Sequence, residues 1–146
     1  MKTKLEFTTN INAPREKVWR ILWDDATYRH WTSAFQEGSY AVSDWKEGSK
    51  IQFLTPEGDG MYSIIERSEA PELMSFKHLG ILKEGNELPL DEETKQWEGA
   101  HENYELRQDG DQTILNVSFE SINAYREYFQ NTFPKALDIV KSLSEK

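Results

Sequence analysis

The chain contains no cysteine, which excludes a disulfide framework and thiol chemistry and fits a reducing compartment. Basic residues are outnumbered, 17 against 26 acidic ones for a net charge of -9, and no Lys/Arg cluster is present that would neutralise a run of phosphates. Nucleic acid and anionic membrane surfaces are therefore not expected as partners. No apolar run approaches the roughly 20 residues that a membrane-spanning helix needs. The N-terminus alternates like a strand where a signal peptide would open with an apolar block. A cytoplasmic location without membrane insertion is the expectation.

What is there is a chain of 146 residues, enough for one domain over residues 1–146 that buries about two thirds of its unfolded surface. Its most ordered pattern lies in residues 123–146. Tyr125, Tyr128, Phe129, Phe133, Ala136, Leu137, Val140 and Leu143 draw one apolar stripe along a long helix. Pro134 interrupts it, because proline lacks an amide and clashes with the preceding turn. A kink there is expected, the alternative being a second helix that starts at Pro134 after a break at Asn131-Thr132.

Almost everything before that helix reads as short strands. Leu5, Phe7, Thr9 and Ile11 alternate with polar residues, the signature of a strand with one buried face. Ala13-Pro14 then opens a helix at Pro14, with Val18, Ile21 and Leu22 as its buried stripe. Asp24-Asp25 suits the cap of a second short helix carrying Tyr28 and Trp31. Tyr40 and Val42 pair with Ile51 and Phe53 across a Glu47-Gly48 turn, and further strands cover residues 61–67 and 73–82.

On the last of these, Met74, Phe76, His78 and Gly80 share a face. Residues 83–98 hold six acidic residues and two lysines without strand alternation, and read as a solvated loop. Beyond it Ala100, Glu102, Tyr104 and Leu106 share one face, and Leu115, Val117 and Phe119 form the last buried row. A register that sets His78 opposite Glu102 also sets Phe76 opposite Tyr104 and Met74 opposite Leu106.

The segment Ile11-Asn12-Ala13-Pro14-Arg15-Glu16-Lys17-Val18-Trp19, Trp31 after the second helix, Gly48, and Ala70-Pro71-Glu72-Leu73 together resemble the helix-grip domains of the START-like superfamily, also called Bet v 1-like or SRPBCC. Within it the chain is similar to the Aha1-type group, the relatives of the activator of the Hsp90 ATPase. Glu102-Asn103-Tyr104 and Phe133-Pro134-Lys135-Ala136-Leu137 resemble a bacterial single-domain subgroup. The resemblance implies an α+β fold, with a curved antiparallel sheet of about six to seven strands wrapped around a long C-terminal helix and two short helices after the first strand. It also implies a cavity between sheet and helix. Similar domains bind lipids, sterols or aromatic polyketides, some catalyse cyclisation or hydrolysis, and the eukaryotic namesake stimulates the Hsp90 ATPase.

The residues expected to line such a cavity are Trp31, Phe53, Phe76, His78, Trp97, Glu102, Tyr104, Phe129 and Phe133, with Trp31 and Trp97 either at the entrance or packed under loops. Tyr62, Tyr104 and Tyr128 are candidates to offer hydroxyls to a ligand. His78 and Glu102 stand out on apolar strand faces. They either satisfy each other structurally or serve as proton donor and acceptor. No metal is expected, since His30, His78 and His101 lack close pairings. No cofactor is expected either, and no serine sits in a nucleophile elbow.

The leading expectation is a monomer that binds a small hydrophobic or amphipathic ligand without catalysis. One alternative is a protein-interaction domain of co-chaperone type, with an Hsp90-type chaperone as partner. The other is a cyclase-like or hydrolase-like enzyme using His78 and Glu102 as catalytic residues.

Overall fold

In the structure, a computed structural model, residues 2–89, 91–95, 98–122 and 125–146 are described. The first strand, β1 (Lys2–Ile11), is followed by α1 (Arg15–Trp23) and α2 (Asp25–Thr32). Pro14 is the residue before the first helical turn, with an extended backbone at φ -69° and ψ 151°. Asp24 is extended too and caps α2, but its carboxylate bonds no amide. The Thr27 hydroxyl instead donates to the Asp24 carbonyl at 3.2 Å.

The remaining strands are β2 (Tyr40–Val42), β3 (Lys50–Leu54), β4 (Gly60–Glu69), β5 (Leu73–Lys83), β6 (Asn86–Glu87), β7 (His101–Asp109) and β8 (Gln112–Ile122). They form one open antiparallel sheet in the order β1-β8-β7-β5-β4-β3-β2, with β6 paired to the end of β5. The expected loop over residues 83–98 is thus partly regular, holding β6 and the single turn α3 (Glu92–Lys95). The hairpin between β5 and β6 turns on Glu84 at φ 51° and Gly85 at φ 81°. Successive positive φ angles suit the tight turn that matches strand twist. Glutamate seldom adopts that conformation, so the sequence carries only half of the usual turn signal.

The long helix, α4 (Arg126–Ser144), runs through Pro134 without a break. Pro134 lies on the exposed side, where water replaces the hydrogen bond that its missing amide forfeits. The opposite side buries Phe133, Ala136, Leu137 and Val140 against β1, α1 and α2. The far end is tied to the first strand, because Lys141 Nζ donates to the Asn10 carbonyl at 2.9 Å and the Asn12 amide donates to Glu145 at 2.8 Å.

Two irregularities in β5 correct the expected faces and register. Tyr62 pairs with Gly80 but Ser63 pairs with His78, so Leu79 is an extra residue in the ladder. This bulge reverses the alternation. Gly80 leaves the face shared by Met74, Phe76 and His78 and lies under the Tyr62 ring, where a Cβ would approach the Tyr62 hydroxyl to 2.6 Å. Ile81 takes the inner position instead. Across β5 and β7, Phe76 stands opposite Glu102 and Met74 opposite Tyr104, two residues away from the register read from the sequence. Gly99, at φ 80°, bonds His78 as β7 begins (Gly99 N to His78 O 2.8 Å, His78 N to Ala100 O 2.9 Å). A slip of two keeps every side chain on its face, so hydrophobic pattern alone does not select between the two registers.

Gly60 marks a close approach. A Cβ there would meet the Phe53 carbonyl oxygen at 1.8 Å, whereas one at Gly48 would meet nothing within 4 Å. Gly48→Ala is expected to cost about 1–2 kcal/mol of unfolding free energy for its positive φ. Gly60→Ala should cost more than about 3 kcal/mol, because backbone has to move. Urea unfolding of both variants checks this, and equal losses would contradict the close approach.

Candidate functional site

Between the sheet's inner face and the helices lies a pocket of about 640 Å³. One wall is an aromatic cluster around Trp23, whose ring centroid lies 5.5 Å from Phe76, 5.0 Å from Tyr104 and 6.4 Å from Trp31. The facing wall joins Phe35, Phe119, Phe129 and Phe133, with both Phe35 and Phe119 4.9 Å from Phe133. A second recess, of about 530 Å³, lies among Pro14, Arg15, Pro71 and Asp111 and includes none of the expected site residues.

Polar groups enter the aromatic surroundings through one hydrogen-bonded series. Ser63 Oγ lies 2.7 Å from His78 Nδ1, His78 Nε2 lies 3.1 Å from Glu102 Oε1, and the Tyr104 hydroxyl donates to Glu102 Oε2 at 2.5 Å. A neutral His78 protonated on Nε2 satisfies every link: Ser63 donates to Nδ1, and both His78 and Tyr104 donate to the carboxylate. His78 and Tyr104 are buried, while the Glu102 side chain keeps 23% of its surface exposed. Trp23 Nε1 and Thr55 Oγ1, on residues of the pocket wall, are buried without a hydrogen-bond partner among the described residues. A donor and a hydroxyl there are available to water or to a ligand.

Of the residues singled out from the sequence, Trp31, Phe53, Phe76 and His78 line this pocket, as do Glu102, Tyr104, Phe129 and Phe133. Trp97 lies outside the described residues. Trp31 stands deep in the wall, not at the entrance. It is 2% exposed and its indole N–H donates to the Leu22 carbonyl at 3.0 Å, so it anchors α2 on α1. Tyr62 faces away from the pocket, packed over Gly80 with Lys50 Nζ 5.4 Å from its ring. Tyr128 borders the pocket half exposed, and its hydroxyl donates to the Phe35 carbonyl at 3.1 Å.

Sequence reasoning passed over Tyr28, Phe35 and Phe119 as wall residues and Ser63 as the partner of His78. Tyr28 was findable, since it lies one helical turn before Trp31. Ser63 was findable only by noticing a small polar residue between Met61 and Ile65 on an otherwise apolar face.

The sequence profile of the family described as Activator of Hsp90 ATPase homolog 1-like protein matches residues 12–144. The chain belongs to this family. Solved structures with the same fold include the solution structure of an Aha1 dimer from Colwellia psychrerythraea, which is 16% identical with a TM-score of 0.74 over 98% of this chain and 96% of that one. A crystal structure of a protein from Mesorhizobium loti is 13% identical with a TM-score of 0.75, covering 97% and 96%. An AHSA1-like protein from Aeromonas hydrophila is 17% identical with a TM-score of 0.67, covering 97% and 91%. Among curated proteins no match is found. The helix-grip resemblance read from the sequence thus holds for the fold, at identities that carry no residue's role from one protein to another. No helix among the described residues is long and apolar enough to cross a membrane.

Within this AHSA1-type frame, two tyrosines are held protonated. Burial pushes the Tyr28 hydroxyl far above its ordinary value, and the nearby Glu102 charge adds to the shift. Tyr104 is raised by burial first, then by the Glu102 charge and by the hydrogen bond it donates to that carboxylate. An unfolded tyrosine loses its proton near pH 10, so above that pH the folded state holds more protons than the unfolded one. Stability should therefore be complete below about pH 10 and fall above it, by about 1.4 kcal/mol per pH unit for each such tyrosine. Tyrosinate absorbance is expected to show Tyr28 and Tyr104 silent until the protein unfolds. Reversible ionisation of both near pH 10, with the fold intact, would refute their burial against Glu102.

Proposed function

We propose that this AHSA1-type domain binds a small hydrophobic or amphipathic molecule in the pocket between sheet and α4, without transforming it. The observation that carries this reading is the pocket's chemistry: about 640 Å³ of space walled by aromatic rings, with one concentrated polar series ending at Glu102. Mainly apolar walls with a few placed polar groups are what a ligand site needs to hold an apolar body and orient one polar end. Family membership is compatible with this reading and does not choose the ligand.

Nucleophilic catalysis through Ser63 is the weaker reading for a physical reason. Ser63, His78 and Glu102 stand in the order of a nucleophile, a base and its orienting carboxylate, and both His78 and Glu102 border the pocket. Ser63, however, is fully buried and is not among the pocket-lining residues. A nucleophile that no substrate reaches contributes positioning of His78 only. The co-chaperone reading draws on the family and on the exposed rings of Tyr125 and Tyr128 beside the pocket, each more than 40% accessible at 45% and 46%.

Amide NMR spectra of labelled protein, titrated with fatty acids, sterols and flat aromatics and then with an Hsp90 chaperone, test these readings together. Binding in the pocket should shift Phe76, Tyr104 and Phe129 with one ligand class. Phe129→Ala, which removes a half-buried ring, should weaken that binding about tenfold while costing less stability than the ~3–5 kcal/mol typical of a fully buried phenylalanine. Silence with every small molecule, together with broadening by the chaperone, would replace the ligand reading with the interaction one.

A further inference from the structure

Among the described residues, the Asp, Glu, Lys and Arg that line the pocket are all acidic. Asp91, Glu102 and Glu120 line it, and none of its described lining residues is Lys or Arg. The basic groups near its edge are already engaged. Arg29 lies over the Tyr40 ring at 5.0 Å and bonds Asp25 at 3.0 Å, while Lys50 lies on the other face of the sheet, over Tyr62 and paired with Glu87 at 2.6 Å. His101 is shared between Glu66 at 3.0 Å and Glu120 at 3.9 Å, and Glu120 also accepts the His101 backbone amide at 3.2 Å.

Glu102 is the member set among the rings. Each of its oxygens takes one donor, His78 on Oε1 and Tyr104 on Oε2. A carboxylate oxygen has two acceptor positions, so a ligand N–H can be added at either oxygen without displacing a protein donor. The aromatic walls favour the same kind of ligand, because the negative faces of Trp, Tyr and Phe attract an organic cation, most of all where water is excluded. A ligand carboxylate meets the reverse: desolvation, no basic partner and like charge from Glu102.

We propose that the preferred ligand of this pocket is an amphipathic organic cation, an amine or ammonium head on an apolar, ring-sized body, with Glu102 as its counter-ion. This rests on the reading of the pocket as a ligand site and deepens it by choosing the charge of the head group. It rejects fatty acids and other apolar carboxylates as preferred occupants.

The test uses three probes with one body and different heads: 2-(2-naphthyl)ethylamine, 2-(2-naphthyl)ethanol and 2-naphthylacetate. Binding to the full chain is followed by amide NMR and tryptophan fluorescence at pH 8. The expected order is amine, alcohol, carboxylate, with the amine at least about tenfold tighter than the carboxylate. Glu102→Gln should bring the amine to within about threefold of the alcohol, both measured on the variant. If that variant fails to fold, the order of the three probes on the unaltered chain decides by itself. Equal or tighter binding of 2-naphthylacetate would overturn the cation preference and leave the ligand site standing. Absence of shifts at Phe76, Tyr104 and Phe129 with all three probes at millimolar concentration would overturn the site itself.

Discussion

The ring of Phe133 is where the structure is held together. It lies 5.2 Å from Phe7 on β1, 4.9 Å from Phe35 beyond α2 and 4.9 Å from Phe119 on β8, so one side chain of α4 joins the sheet edge, the sheet interior and the second short helix. A buried phenylalanine contributes about 1.5–3 kcal/mol by area, and well-placed ring pairs about 0.5–1.5 kcal/mol more. The rest of the α4 stripe, Ala136, Leu137 and Val140, continues this packing toward β1 and α1. Because Phe133 and Phe129 anchor one wall while Trp23, Phe76 and Tyr104 build the other, the space between them is bounded by groups that are already well packed on their far sides. That is why the aromatic side chains do not simply fill it.

Placing a carboxylate in such surroundings is costly unless its charge is solvated by donors. Glu102 is solvated by His78 and Tyr104, and His78 is held in turn by Ser63. The series therefore serves structure and site at once. It satisfies the buried imidazole and the Tyr104 hydroxyl, and its carboxylate belongs to a partly exposed side chain that lines the pocket. The two functions need no separate residues, since a carboxylate accepts more hydrogen bonds than its two protein donors supply.

Much of this was legible in the chain. The period-two rows on β7 and β8 and the stripe on α4 report burial directly, and with the Ala13-Pro14 and Trp31 landmarks they suffice for the helix-grip architecture. The same parity argument selects Phe76, His78, Glu102 and Tyr104 for one face. It fails at Leu79, where an extra residue reverses the alternation and exchanges Gly80 for Ile81, and it is blind to the two-residue slip between β5 and β7. Tyr62 lies on the outer face by the plain alternation of β4, between the inward Met61 and Ser63. A large ring on a short helix signals packing without saying at what depth, and Trp31 is packed deep.

What the sequence by itself determined, then, is which residues seek burial and in what order the elements come, because hydrophobic periodicity and the turn preferences of Pro and Gly are local properties. Only the tertiary structure decided which buried polar groups meet. Ser63, His78 and Glu102 lie on three different strands, and their contacts depend on bulge placement, register and side-chain packing that are settled by non-local interactions. The negative sign of the pocket is likewise a tertiary fact. A chain with 17 basic residues can surround a cavity with either charge, and here folding pairs Arg29 with Asp25, sets Lys50 with Glu87 on the other face of the sheet and leaves Glu102 lining the pocket.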